Sequence, residues 1–259
     1  MPDRIRLDGR VAVVTGAAGV IGTATIRLLA ERGARIVAVD RKPEDLQAAV
    51  RDLPASAQAL AVTADVTSED EVAEYVRTAV DKFGTIDVFY NNAGIEGDIA
   101  PITRYSLETF RKVIDVNVVG VFLGLKHVLP VMLKQNKGSI INTASIAGLI
   151  GSPEVAVYSA SKHAVIGLTK SAAQECSATG VRVNCVCPGL IDSRMLSAII
   201  EGRNPGNAPV ANDKIVERIP ARRLGLASEV ASIVAFLASD DASYVSGAAY
   251  TVDGGRTAA

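Results

Sequence analysis

The chain has 259 residues, of which 49% are hydrophobic, 21% charged and 4% aromatic. Its 27 basic and 28 acidic residues give a formal net charge of −1, which excludes the broad basic surface of a general nucleic-acid binder. A composition that is half apolar, with 22 glycines and 10 prolines, excludes a disordered chain and predicts a single domain over residues 1–259.

The first ten residues mix charged and apolar side chains and contain no secretory core. No uncharged stretch reaches the roughly 18 apolar residues that a membrane span needs. Cys176, Cys185 and Cys187 are an odd number of cysteines, which favours a reducing compartment over a disulfide framework. We therefore expect a cytoplasmic protein with no membrane partner.

Short β-branched runs alternate with helical patterns along the chain. The runs lie at 11–14, 36–39, 60–63, 86–90, 139–143 and 181–186. A helix is predicted from Ser68 to Gly84, where Ser68 and Glu71 have the spacing of a capping box. Apolar strands separated by helices are typical of a parallel sheet covered on both faces. The predicted fold class is a doubly wound, Rossmann-type α/β sheet.

A glycine-rich turn, T-G-A-A-G-V-I-G at 15–22, follows the first predicted strand. Glycines there let the backbone approach a pyrophosphate, and the next helix offers free N–H groups. Asp40 ends the second strand, 18 residues beyond Gly22, near the spacing of a carboxylate that binds ribose hydroxyls. That carboxylate repels the extra phosphate of NADP and so favours NAD, whereas Arg41 and Lys42 beside it favour NADP.

Polar or small residues also follow the next predicted strands. Asp65 is predicted to end the third strand, and N-N-A-G at 91–94 ends the fourth. Ligands of such sheets bind outside the carboxyl ends of the strands, so these positions are candidates for the adenosine contacts. The stretch 194–214 does not fit the alternation and is predicted to be an irregular substrate lid.

Ser145 follows the fifth predicted strand, and Tyr158 and Lys162 lie four residues apart on a predicted helix. That separation places Tyr158 and Lys162 on the same helix face. Because a neighbouring ammonium favours the phenolate, we expect Lys162 to lower the pKa of Tyr158 from about 10. Tyr158 then becomes a general acid and base near neutral pH.

These motifs occur in a characteristic order: T-G-A-A-G-V-I-G, N-N-A-G, Asn117, Ser145, Y-S-A-S-K and P-G. In them the chain resembles the single-domain branch of the short-chain dehydrogenase/reductase family over essentially its whole length. The resemblance implies a seven-stranded parallel sheet and reversible hydride transfer between a nicotinamide cofactor and an alcohol or carbonyl. It also implies a homotetramer, with the helix of Tyr158 and the C-terminal strand between subunits.

The same resemblance implies roles for individual residues. Tyr158 is the acid and base, and Ser145 hydrogen-bonds the substrate oxygen. Lys162 holds the nicotinamide ribose, and Asn117 positions a water beside it. Together with Asp40 and Arg41, the predicted cofactor-binding residues are Gly16, Gly19, Val20, Ile21, Gly22, Asp65, Val66, Asn92, Ala93, Gly94, Tyr158, Lys162, Pro188, Gly189, Ile191 and Ser193.

Two positions depart from the family pattern. Val20 stands at the middle glycine of the family's turn, and its side chain is expected to crowd the pyrophosphate. Ser193 stands where the family more often has threonine, and it keeps a hydroxyl. Neither change removes the predicted chemistry.

Residues near the catalytic group in sequence are mostly apolar, which favours an apolar secondary alcohol or ketone as the substrate. The predicted substrate-binding residues are Ser145, Ala147, Val155, Tyr158, Leu190 and Met195, with Glu96 as a polar wall. The strings N-N-A-G-I-E-G, V-F-L-G-L and S-D-D-A-S-Y-V are similar to levodione-reductase-like enzymes that act on cyclic ketones.

Two other functions are left open by the sequence: an NADP-dependent 3-oxoacyl-thioester reductase, and a nucleotide sensor that has lost turnover. The intact Ser145, Tyr158 and Lys162 argue against the sensor, since a sensor needs no acid or base. His127 and His163 lack metal-ligand spacing, so no metal site is predicted.

Overall fold

The computed structural model describes residues 5–204, 206 and 214–258. Seven parallel strands form one sheet in the order β3–β2–β1–β4–β5–β6–β7. The strands are β1 (Val11–Thr15), β2 (Arg35–Asp40), β3 (Ala59–Thr63), β4 (Val88–Asn91), β5 (Gly138–Thr143), β6 (Val181–Pro188) and β7 (Ala249–Val252).

Helices connect successive strands. They are α1 (Val20–Glu31), α2 (Pro43–Arg51), α3 (Glu69–Phe83), α4 (Leu107–Ile114), α5 (Gly120–Lys134), α6 (Ala156–Glu175), α7 (Arg194–Arg203) and α8 (Ala227–Ala238). A π-helical segment, Asp115–Val119, joins α4 to α5.

Both faces of the sheet are buried, because alternate side chains of a strand point to opposite faces. Val11 and Val13 of β1 pack into one core with α3, α5 and α6. Ala12 and Val14 pack into the other core with α1, α2 and α8. The predicted doubly wound α/β fold, with helices on both faces of seven parallel strands, is confirmed.

The strand order reverses at β1, which pairs with β2 on one side and with β4 on the other. The chain therefore leaves β1 and β4 in opposite directions, and a crevice opens between their carboxyl ends. Thr15 ends β1, and Asn91 ends β4. The glycine-rich turn and N-N-A-G thus meet at this crevice.

The prediction of an irregular segment at 194–214 is wrong for its first half, because α7 forms there. The Ser193 hydroxyl starts this helix by accepting a hydrogen bond from Leu196 N at 3.3 Å. Leu196 and Ile200 give α7 an apolar face, which packs against half-buried Leu190, Ile215 and Leu224. Residues 205 and 207–213 lie outside the described residues.

Within the described ranges, one segment, Leu107–Lys134, is long and apolar enough to cross a membrane by length and composition alone. It comprises α4, the π-helical segment and α5. Val121, Val128 and Met132 of α5 are buried in the same core as the strands. The segment is therefore a core element of this fold.

Candidate active site

The glycine-rich turn and N-N-A-G are bonded to each other. Gly16 has a φ of +64°, and a Cβ there would stand 2.9 Å from Ala93 Cα, so only glycine fits. Asn92 Nδ2 donates to Thr15 O at 3.1 Å and to Gly16 O at 3.2 Å. The Thr15 hydroxyl accepts from the backbone N–H groups of Asn92 and Ala93. These hydrogen bonds therefore fix the conformation of the turn.

The first turn of α1 suits an anion. Its N-cap is Gly19, no side chain caps it, and it contains no acid. Because the first N–H groups of a helix have no partner within the helix, they are available to a pyrophosphate. Val20 begins the helix with 48% of its surface exposed, and the expected crowding of the pyrophosphate by its side chain stays a prediction. Gly19 to Gly22 fit the phosphate end of a dinucleotide.

Asp40 lies at the end of β2, as predicted, and its carboxylate faces the glycine-rich turn. Oδ2 accepts a hydrogen bond from Ala18 N at 3.0 Å, and Oδ1 accepts one from Arg41 N at 2.7 Å. Lys42 N also donates to Oδ1, at 3.3 Å. A carboxylate has about four acceptor sites, so capacity for one ribose hydroxyl remains. The side chain of Arg41 is exposed beside it.

The prediction that Asp65 ends β3 is wrong, because the strand ends two residues earlier at Thr63. Asp65 Oδ1 accepts from the Thr67 backbone N at 2.9 Å and from the Thr67 hydroxyl at 2.7 Å. Burial alone would raise the pKa of Asp65, but these bonds and the charge of Arg41 hold it below its usual range. Val66, the next residue, packs against Gly120: a Cβ on Gly120 would stand 2.9 Å from Val66 Cγ2.

A cavity of about 400 Å³ lies between these residues and the helices that follow β4. Its volume and its place at the carboxyl ends of β2 and β3 suit the adenosine part of a dinucleotide. It is bordered by Arg41, Asp65, Thr67, Leu107, Glu108, Arg111, Lys112, Asp115 and Val116.

Ser145 and Tyr158 meet beyond the carboxyl end of β5. Tyr158 lies in the first turn of α6. The Ser145 hydroxyl accepts from Ala147 N at 3.1 Å and donates to Pro188 O at 3.5 Å. Both bonds hold the hydroxyl at the carboxyl edge of the sheet.

The pKa of Tyr158 differs from the sequence-based expectation. Burial raises it to about 12, the Ser145 hydroxyl opposes this by hydrogen bonding, and the charges of Glu96 and Cys187 add to the rise. The shift is dominated by burial, so the expected lowering of this pKa by Lys162 is not found. Without a bound cofactor, the phenol is protonated at neutral pH.

Lys162 lies one helical turn beyond Tyr158, with Nζ 5.6 Å from the centroid of the tyrosine ring. Nζ donates a hydrogen bond to Thr143 O at 2.8 Å. Burial lowers the pKa of Lys162 to about 8, and the Cys187 and Cys185 thiols oppose this shift. The ammonium is thus directed to the end of β5, beside Ser145.

Asn117 lies on the π-helical segment, a distortion that is frequent at functional sites. Its Oδ1 accepts from Ile95 N at 2.8 Å, and its Nδ2 donates to Ile95 O at 2.9 Å and to Ser161 Oγ at 3.0 Å. A Cβ on Gly94 would stand 3.2 Å from Asn117 Oδ1 and 3.3 Å from Lys162 Nζ. The side chain of Asn117 therefore fixes the loop beside Lys162.

The segment after β6 carries the residues predicted to flank the nicotinamide. Gly189 N donates to Val252 O at 3.0 Å, and a Cβ on Gly189 would stand 2.7 Å from Asp253 Cβ. Ile191 is buried. The Ser193 hydroxyl donates to Ile191 O at 3.0 Å while it caps α7.

The predicted substrate-binding residues fall into two groups. Ala147 and Val155 are buried. Leu190 lies between β6 and α7, Met195 lies in α7, and both are half-buried. Glu96 lies near enough to Tyr158 for its charge to act on that hydroxyl.

Sequence reasoning missed the partner of Glu96. Arg194 donates to Glu96 Oε1 at 2.9 Å and to Oε2 at 3.4 Å. The two residues are 98 positions apart, and no local pattern signals such a pair. Only the tertiary fold brings α7 to the loop after β4.

Comparison with known proteins agrees with this geometry. Residues 16–257 match the family model described as Enoyl-(Acyl carrier protein) reductase. The chain is 40% identical to levodione reductase of Leifsonia aquatica over 98% of this chain and 96% of that protein. It is 44% identical to cis-4-hydroxycyclohexanecarboxylate dehydrogenase of Sinomonas cyclohexanicum, over 96% of this chain and 97% of that protein. It is 41% identical to a 3-oxoacyl-(acyl-carrier-protein) reductase of Thermotoga maritima over 97% and 99%.

Solved structures give the same result. A crystal structure of levodione reductase superposes with a TM-score of 0.95 at 40% identity, covering 98% of this chain and all (100%) of that chain. NAD⁺-bound xylitol dehydrogenase gives 0.90 at 37% identity, covering 96% and 99%. An actinorhodin polyketide ketoreductase variant with NADPH gives 0.92 at 36% identity, covering 95% and 97%.

The family match and the similarity to these relatives show an oxidoreductase of a class that uses a nicotinamide cofactor. The chain belongs to the short-chain dehydrogenase/reductase family and acts on CH–OH or ketone groups of a small-molecule substrate.

Proposed function

We propose that the chain catalyses the reversible, NAD-dependent oxidation of a cyclic or apolar secondary alcohol to its ketone. The observation that carries this proposal is a convergence at one edge of the sheet. Asp40 faces the glycine-rich turn there, and Ser145, Tyr158 and Lys162 gather beyond β5 on the same edge.

The bound nicotinamide supplies the hydride acceptor in oxidation and the hydride donor in reduction. Ser145 hydrogen-bonds the substrate oxygen and so orients the carbon that reacts. Tyr158 gives a proton to that oxygen in reduction and takes one in oxidation. A pKa of about 12 keeps Tyr158 protonated for reduction. For oxidation, the positive charge of the oxidised cofactor would favour its phenolate.

The carboxylate of Asp40 supports NAD as the cofactor. It is fixed at the end of β2 by the N–H groups of Ala18 and Arg41. A ribose hydroxyl donates to such a carboxylate, whereas the 2′-phosphate of NADP is repelled by it. Relatives named for levodione and for 4-hydroxycyclohexanecarboxylate support a cyclic substrate.

A second candidate is an NADP-dependent reductase of 3-oxoacyl-thioesters. Arg41, Arg111 and Lys112 border the cavity at the adenosine end, and their charges attract a phosphate. A 3-oxoacyl-(acyl-carrier-protein) reductase is also among the relatives, at 41% identity.

Cofactor reduction, followed by absorbance with NAD and NADP in parallel, distinguishes the two. The substrates are cyclic secondary alcohols, aliphatic secondary alcohols and 3-hydroxyacyl-thioesters. Turnover of a cyclic alcohol with a preference for NAD supports the proposal. Turnover of thioesters with NADP alone establishes the second candidate in its place.

We further propose that the chain works as one domain, in a homotetramer in the cytoplasm, with a substrate lid at about 194–214. Large apolar side chains exposed on α4, the π-helical segment and α5 support assembly, in addition to the predicted surface of α6 and β7. They are Leu107, Phe110, Val119, Phe122 and Leu133. The three cysteines are buried and free, which supports a reducing compartment.

A further inference from the structure

The backbone of Glu96 is held from both sides. Before it, Ile95 exchanges hydrogen bonds of 2.8 and 2.9 Å with the side chain of Asn117. After it, Gly97 has a φ of +74°, and a Cβ there would stand 2.3 Å from the phenol oxygen of Tyr105. Glu96 is therefore positioned by the same residue, Asn117, that fixes the loop beside Lys162.

The carboxylate of Glu96 is removed from water and paired. Its side chain is 12% exposed, and it meets the guanidinium of Arg194, which is 75% exposed. Two contacts, of 2.9 and 3.4 Å, join the two groups. Ile95, the residue before Glu96, is bonded to Asn117, and a Cβ on Gly94 would stand 3.3 Å from Lys162 Nζ. The pair is therefore carried by the loop that borders the proposed catalytic group.

The helix that carries Arg194 is also anchored at its far end. Arg203, the last residue of α7, donates to Ser152 Oγ at 3.0 Å and to Pro153 O at 2.6 Å. These acceptors belong to the loop that leads into α6 and Tyr158. Contacts at both ends therefore anchor α7, to the loop after β4 through Arg194 and to the loop before α6 through Arg203.

We propose that the Glu96–Arg194 pair determines which substrates the pocket accepts by their charge. It makes the pocket select uncharged alcohols and ketones over those that carry a carboxylate. This inference rests on the proposed function. In the pair the two charges cancel, so an uncharged ring meets no unbalanced charge at this wall. A substrate carboxylate finds the charge of Arg194 already neutralised by Glu96, so it gains no compensation for the water that it loses on entering the pocket.

The test compares kcat/KM for cyclohexanol with kcat/KM for 4-hydroxycyclohexanecarboxylate. Wild type is expected to prefer cyclohexanol. Glu96→Gln frees Arg194 to bind an anion, so the ratio of anionic to neutral turnover rises about 10-fold or more. Arg194→Met leaves Glu96 unpaired, so the same ratio falls below that of wild type.

The double variant, Glu96→Gln with Arg194→Met, removes both charges. Its ratio returns to within about 3-fold of wild type, because the wall is again without an unbalanced charge. Glu69→Gln is the matched control: Glu69 pairs with Lys126 on the surface, and its loss leaves the ratio unchanged.

Circular dichroism and cofactor titration establish that each variant is folded. An unchanged ratio in folded Glu96→Gln and Arg194→Met overturns the inference while wild-type turnover leaves the proposed function standing. If Glu96→Gln does not fold, the ratio in Arg194→Met decides. Wild type that turns over neither alcohol with NAD or NADP overturns the proposed function, and the inference with it.

Discussion

Asp40 Oδ2 accepts a hydrogen bond from Ala18 N at 3.0 Å, which joins the end of β2 to the glycine-rich turn after β1. In the proposed function, the carboxylate assigned to the adenosine ribose is thereby fixed to the loop assigned to the pyrophosphate. Cofactor choice follows from this contact, because a hydroxyl and a phosphate on that ribose have opposite interactions with a carboxylate.

Asp40→Ser is expected to shift cofactor preference towards NADP. The substitution removes the repulsion of the 2′-phosphate and leaves Arg41 beside it, so the ratio of kcat/KM for NAD to that for NADP falls about 10-fold or more. Steady-state rates with both cofactors measure it. Asp52→Ser, at the exposed end of α2, is the control, and an equal ratio in the two variants refutes the assignment of Asp40.

Gly94→Ala is expected to impair turnover with little loss of stability. The new Cβ stands 3.2 Å from Asn117 Oδ1 and 3.3 Å from Lys162 Nζ, so both groups must shift by a few tenths of an ångström. Because small misplacements of reacting groups are costly, kcat falls about 10-fold or more. Gly151→Ala, which meets nothing within 4 Å, keeps wild-type kcat. Similar kcat values in the two variants contradict the expected crowding.

Lys162→Met is expected to abolish turnover and yet stabilise the fold at pH 7. The pKa of Lys162 is about 8 in the folded protein, against 10.5 without burial. Between these values the unfolded chain binds more protons, so this residue's contribution to stability rises with pH and is least favourable below pH 8. Removing the charge saves about 3 kcal/mol, and losing the bond to Thr143 O costs about 1 kcal/mol.

Urea unfolding of Lys162→Met and wild type at pH 7 and pH 9.5 measures this effect. The net gain of about 2 kcal/mol at pH 7 shrinks at pH 9.5, where the folded lysine is already mostly neutral. A gain of equal size at both pH values shows that the charge of Lys162 is not its source.

Arg182→Met is expected to destabilise the protein without changing catalysis. The guanidinium lies at the amino end of β6 and donates to Leu237 O at 2.8 Å and to Ser239 O at 3.0 Å, where α8 ends. Its loss leaves these carbonyls without that donor and costs about 2–4 kcal/mol. Urea unfolding measures the loss, and Arg27→Met, an exposed arginine with one such bond, costs much less. Equal losses argue against the capping role of Arg182.

Local patterns were sufficient to predict six of the seven strands and the glycine-rich turn after β1, because each depends on neighbours in sequence. The start of α3 shows the limit of prediction from local patterns. Ser68 Oγ accepts from Glu71 N at 3.4 Å, as the capping box predicts. The Glu71 carboxylate, however, accepts from Asp65 N at 2.8 Å, so the reciprocal half of the box is replaced by a loop contact.

Features made by distant contacts could not be predicted. The apolar face of α7 is covered by Leu190, Ile215 and Leu224. The apolar pattern within 194–214 does not indicate these contacts. No local sequence pattern predicted the π-helical segment, although it carries Asn117. The raised pKa of Tyr158 follows from burial. Burial depends on the tertiary fold, and the four-residue spacing from Tyr158 to Lys162 does not reveal it.

The most direct test of Tyr158 as the acid and base of a nicotinamide-dependent enzyme is a paired measurement on Tyr158→Phe. Turnover is followed with the best alcohol and cofactor of wild type, and binding of reduced cofactor is followed by fluorescence titration. We expect kcat to fall about 10³-fold while the Kd of the cofactor stays within about 3-fold of wild type, since a phenyl ring keeps the shape of the site. A folded variant that retains wild-type kcat would contradict the assignment.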